Sequence, residues 1–111
     1  MSTHRLKRIQ EQIQHAVSSI LLLEVTDPLL SSVTVTRVLA TKDLSTARVY
    51  YDTLGGEKER TAIQQGLIRA RGFIRKQLAQ RLRVKSVPEL EFFYDETREE
   101  ISRVEELFSK L

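Results

Sequence analysis

Leu6, Ile9, Ile13, Val17 and Ile20 recur at steps of three and four with polar residues between them, the period of an amphipathic helix of about five turns. Thr26-Asp27-Pro28 ends that helix, because proline has no N–H to donate and disfavours helical backbone before it. The period then changes. Val33 to Thr41 is rich in β-branched residues and predicts a strand, and Ala47 to Leu54 predicts a second. Lys42 to Thr46 is a short polar link, so the two strands form an antiparallel hairpin, closed off by Gly55-Gly56.

Helical spacing returns with Ala62, Ile63, Leu67 and Ala70, behind acids in the first turn where the helix dipole favours them. Phe73, Ile74, Leu78 and Leu82 continue it beyond Gly72. A glycine inside a helix costs about 1 kcal/mol relative to alanine. The expectation is therefore two helices meeting at a kink at Ala70-Arg71-Gly72. Val87-Pro88 restarts the chain in extended form, and Leu90, Phe92 and Tyr94 alternate with Glu91 and Phe93 along a third strand. Phe92, Phe93 and Tyr94 could stack bases, but strand alternation assigns them to the core. Thr97 followed by Glu100 is a capping box for a last helix carrying Ile101, Val104, Leu107, Phe108 and Leu111. The order is helix, strand, strand, helix, helix, strand, helix: an α+β fold, with a three-stranded sheet packed against helices in one domain spanning 1–111.

Composition narrows the chemistry. The chain has 111 residues and no cysteine, which excludes a disulfide scaffold, a thiolate metal site and a cysteine nucleophile. His4 and His15 stand about 16 Å apart along one helix, too far to share a metal. The glycine pair lacks phosphate-loop spacing, and no glycine-flanked serine elbow is present. The longest apolar run, Ile20 to Leu23, is far short of a membrane span. The expectation is a cytoplasmic protein that is not an enzyme, holds no cofactor or metal, and has no membrane partner.

Charge changes the picture more. The net charge of +3 is bipolar. Arg69, Arg71, Arg75, Lys76, Arg81, Arg83 and Lys85 fall in a window without one acid, whereas residues 89–111 hold eight acids and three bases. A one-sign cluster on a small domain attracts polyanions, although charge runs are more often solvated faces. Arg5, Lys7 and Arg8 at the start of the first helix are either a solubilising end or a second basic patch. Two functions follow. One is nucleic-acid binding, to RNA or DNA, through the basic window. The other is a protein-interaction module docking through the acidic C-terminal helix, with the basic patch incidental.

These pieces resemble the ribosome-binding factor A family. The resemblance is carried by Arg8-Ile9, Gln12-Ile13, Val25-Thr26-Asp27-Pro28, Val33 to Thr36, Asp43 to Tyr50, Ala70 to Arg75 and Val87 to Asp95, in order along the chain. It implies a KH-like domain of the second type, in which an alanine-x-glycine kink, here Ala70-Arg71-Gly72, replaces the GxxG loop. It also implies a non-catalytic assembly factor that binds the immature 30S subunit and its 16S rRNA. Such a factor assists 16S rRNA processing and late 30S maturation, contributes to growth in the cold, and is released with the help of a ribosome-dependent GTPase. On that reading the RNA-binding residues are Arg69, Arg71, Gly72, Arg75, Lys76, Arg81, Arg83 and Lys85. Gly72 would let a phosphate approach the backbone, and the following helix N-terminus would offer free N–H donors. The protein would act as a monomer. Leu29 departs from the arginine that family members often carry after the aspartate–proline pair.

Overall fold

A computed structural model of the chain describes residues 3–96. The apolar stripe of the first helix, α1 (Thr3–Leu23), buries Ile9, Ile13, Ala16, Val17, Ile20 and Leu21. Past its end, Asp27 accepts the Leu29 N–H at 3.0 Å, and the turn this makes leads into a single 3₁₀ turn at Leu30–Ser32. Leu30 of that turn is buried against the core.

Strands β1 (Thr34–Ala40) and β2 (Thr46–Asp52) form the expected antiparallel hairpin. Asp43 shapes its loop by accepting from the Ser45 N–H, the Ser45 hydroxyl and the Thr41 hydroxyl, and these bonds hold its carboxyl below the usual carboxylate range. A register shift between Val35 and Arg37 leaves Thr36 and Arg37 both exposed. Strand β3 (Glu89–Tyr94) pairs parallel with β2, so the sheet order is β1-β2-β3.

Both helices contact the sheet, and one cluster of apolar side chains forms the core. Val35, Val38, Ala47, Val49, Tyr51, Leu90 and Phe92 point into it. Tyr51 is fully buried, and burial pushes its phenol pKa up, reinforced by Tyr94. Its hydroxyl donates to the Gln64 side-chain Oε1, while Gln64 Nε2 donates to the Phe92 main-chain carbonyl at 2.9 Å. One glutamine thus fastens β2, α2 and β3. On the opposite sheet face the Arg37 guanidinium lies 4.1 Å from the Tyr50 ring centre, and Arg48 lies 5.4 Å from that of Phe93. The core assignment therefore holds for Phe92 and for the half-buried Tyr94, but not for Phe93, which alternation places outward.

The main departure is α2, which runs unbroken from Glu57 to Ala79. The expected pair of helices is one helix, because Ile63, Leu67, Ala70, Ile74 and Leu78 stay in phase across Gly72 and four of them are fully buried. Burial of a large aliphatic side chain is worth about 1.5–3 kcal/mol, so packing on both sides outweighs one interior glycine. At its start, the Glu59 carboxylate accepts the Gly56 N–H at 2.9 Å. The expected last helix, from Thr97 onward, lies outside the described residues. No helix among the described residues is long and apolar enough to cross a membrane.

Candidate nucleic-acid interface

α2 buries one stripe against the sheet and α1, and the residues between the apolar positions face outward. Arg69, Gly72 and Lys76 are three and four residues apart and share one exposed strip, while Arg71 and Arg75 share the next. The chain then leaves the helix and carries Arg81, Arg83 and Lys85 through the connection to β3.

The seven bases divide into two kinds. Arg75 is a structural clamp: its Nε donates to the Pro88 carbonyl at 3.2 Å, one terminal nitrogen to the Val87 carbonyl at 2.7 Å, and the other sits 3.4 Å from Glu89. Arg81 closes the far end of α2, donating to the Gln77 carbonyl at 3.0 Å and pairing with Glu24 at the end of α1. In contrast, Arg69, Arg71, Lys76, Arg83 and Lys85 are exposed and have no hydrogen bond or ion pair with any described residue. Charge that no described residue neutralises is the charge available to a polyanion.

Gly72 differs from both expectations about it. No heavy atom lies within 4 Å of where a Cβ would sit, so it marks no tight helix crossing. Nor does a helix N-terminus follow it: inside a continuous helix each N–H donates to the carbonyl four residues back, and no free donors remain. Gly72 instead sits in a shallow groove of about 510 Å³ with Lys76 and Lys85 on its walls. Ala70 packs against the core from the neighbouring face.

The tertiary structure also joins what the sequence separates. Arg5 and Arg8 of α1 face Arg81 and Arg83 across a groove of about 800 Å³, which His15 and Glu11 also line. Lys7 is not part of it. The α1 wall follows from Arg5, Arg8, Gln12, His15 and Ser19, a polar stripe at steps of three and four. That stripe is visible in the sequence and could have flagged His15. Its partner wall, about 60 residues later, could not be read from spacing. Among the described residues no group of three His, Asp or Glu side chains is placed to hold a metal ion.

A family model described as ribosome-binding factor A matches residues 5–108. The chain is similar to the ribosome-binding factor A of Thiobacillus denitrificans, with 42% identity over 86% of this chain and 77% of that protein. Among solved structures, the crystal structure of ribosome-binding factor A from Thermus thermophilus superposes with a TM-score of 0.70 at 28% identity, covering 80% of this chain and 93% of that one. A homology model of the Thermus thermophilus factor, fitted into a cryo-EM map of a 30S–RbfA complex, gives a TM-score of 0.66 at 28% identity over 81% and 94% of the two chains.

Proposed function

The chain belongs to the ribosome-binding factor A family, and from that premise we propose that it is a non-catalytic assembly factor binding the immature 30S subunit through its 16S rRNA. The observation that carries this reading is the set of five exposed bases without a partner among the described residues, Arg69, Arg71, Lys76, Arg83 and Lys85, on one helix and the connection after it. Phosphate oxygens would take the places that no carboxylate of the described chain fills. The groove with Arg5 and Arg8 on its other wall extends the same surface to α1.

On this reading residues 1–111 are one KH-like domain of the second type, with Ala70-Arg71-Gly72 at the position of the GxxG loop. The phosphate contact there is made by side chains rather than by free backbone donors. The protein works in the cytoplasm as a monomer, assists 16S rRNA processing and late 30S maturation, and leaves with the help of a ribosome-dependent GTPase. The family tie also favours RNA over DNA as the polyanion.

The protein-docking alternative draws less support. Of the four acids from Glu89 onward that lie among the described residues, Glu89 is 3.4 Å from Arg75, Glu91 is 3.8 Å from Arg48, Asp95 is 3.6 Å from Arg37, and Glu96 is exposed. Three of these four acids are already matched, whereas five of the seven bases of the window have no partner among the described residues.

Co-sedimentation with 30S subunits tests the proposal. Arg71→Glu with Lys76→Glu is the informative pair, because neither side chain holds the fold together. Wild-type binding should weaken steeply as salt rises, and the double variant should bind at least tenfold more weakly with a shallower salt dependence. Undiminished binding by the folded double variant, or binding indifferent to salt, would remove the assignment.

A further inference from the structure

A smaller cleft, of about 280 Å³, lies between the Val25–Leu30 segment and the middle of α2, beside the basic surface but distinct from its grooves. Its floor is apolar, made by Val25, Leu30 and Ala70. Phe73, 43% exposed, supplies an aromatic wall. Gly66 opens the space: a Cβ there would come within 3.2 Å of a Leu30 methyl.

Two polar groups of opposite kind meet at this spot. Asp27 Oδ2 and Arg69 Nη2 lie 3.5 and 3.7 Å from the position a Cβ of residue 66 would take. They are not paired with each other, and Arg69 is paired with no described residue. The other Asp27 oxygen, Oδ1, is occupied by the Leu29 N–H at 3.0 Å, which fixes the carboxylate in place. An apolar side chain would fill the floor but leave this donor and acceptor unused. A planar ligand carrying both hydrogen-bonding senses on its edges would use all three elements. At the small end of ligand pockets, the cleft suits one ring system and not a whole nucleotide.

We propose that this cleft takes one unstacked guanine of single-stranded RNA, stacked on Phe73 and read by Asp27 and Arg69. Guanine presents two neighbouring N–H donors to a carboxylate and, on the adjoining edge, the O6 and N7 acceptors that a guanidinium pairs with. Bases splayed out of single strands are recognised this way, by aromatic stacking and edge hydrogen bonds. The proposal rests on the RNA-binding reading above and gives it a point of base selection. A phosphate flanking the guanine would lie toward Lys76, which shares a strip of α2 with Arg69.

The test measures affinities of the full chain, by fluorescence anisotropy at one salt concentration, for an eight-residue oligocytidylate and for the same oligomer with one central guanine. The guanine oligomer should bind about tenfold more tightly. Asp27→Asn, nearly isosteric and still able to accept from Leu29, should bring that ratio close to one, and so should Phe73→Ala. Lys76→Glu should weaken both oligomers and preserve the ratio. A ratio of one in the wild-type protein, or one that survives Asp27→Asn, overturns the cleft assignment and leaves the basic surface standing. A ratio of one together with weakened 30S co-sedimentation by Phe73→Ala gives the cleft to a ribosomal-protein side chain instead, and also overturns it. Failure of both oligomers to bind at low salt removes RNA binding by the isolated protein, and the guanine site with it.

Discussion

Arg71 and Arg75 look alike in the sequence, four residues apart in one acid-free window, yet they do different work. Arg75 spends its guanidinium on two backbone carbonyls and Glu89, holding the α2–β3 connection against the helix. Those carbonyls belong to Val87 and Pro88, a segment with no secondary structure to satisfy them, and Pro88 is buried. Removing the donor therefore leaves acceptors short of partners. Arg71 is exposed and bonded to nothing described. Arg75→Met should lower unfolding free energy by about 1–3 kcal/mol, whereas Arg71→Met should stay within about 0.5 kcal/mol. Urea denaturation of the two variants checks this, and the opposite ranking in binding should accompany it. Equal stabilities would mean that Arg75 is no clamp and belongs with the free bases.

At the scale of elements, Gly72 poses a direct question. It sits inside a helix, exposed, with open space around its α-carbon. Helix propensity and unfolded-state entropy both favour alanine there, so Gly72→Ala should stabilise the protein by about 0.5–1 kcal/mol. For a domain of this size that is a rise in melting temperature of about 3–6 °C. If close approach of a phosphate is what the glycine provides, the same variant should bind 30S subunits less well while melting higher. A rise in stability with full binding would make the glycine functionally idle. Gly72 is also where reading the sequence ran ahead of the physics. The stripe Ile63, Leu67, Ala70, Ile74, Leu78 passes Gly72 in phase, and that signal for one helix was there to be seen. A glycine's propensity cost is local and certain, whereas burial on both flanks emerges only from the tertiary fold. The hairpin, the third strand and the first helix were legible because each has an unambiguous period bounded by Pro, Gly or a polar link. The basic surface was legible as composition. Its division into clamps and free charges was not, because carbonyls such as those of Val87 and Pro88 have no signature in side-chain sequence. The cleft under Asp27 was likewise hidden, since it joins a loop to a helix some 40 residues later.

For the whole molecule, the consequential feature is that β2 lies at the centre of the sheet with neighbours acquired over very different chain lengths. Its antiparallel partner is five residues away, while its parallel partner waits for 36 residues between Asp52 and Glu89. For a flexible chain, closing the longer connection costs about 1.7 kcal/mol more entropy than closing the shorter. The hairpin is thus the natural nucleus, and β3 docks last, once α2 has formed the surface that guides it. Mutations should report this order in time. Val49→Ala, in the hairpin, should mainly slow folding, and Leu90→Ala, in β3, should mainly speed unfolding. Stopped-flow chevrons distinguish the two, and a Leu90→Ala variant that folds slowly and unfolds normally would reverse the order. During synthesis the consequence is sharper. Until residue 94 has left the exit tunnel, the second edge of β2 has no strand to pair with and the core lacks Leu90 and Phe92. The basic helix is complete before the sheet that supports it. A nascent chain of this protein therefore carries the basic charge proposed to meet RNA while still an unfinished fold, and the last strand is what turns that charge into a shaped surface.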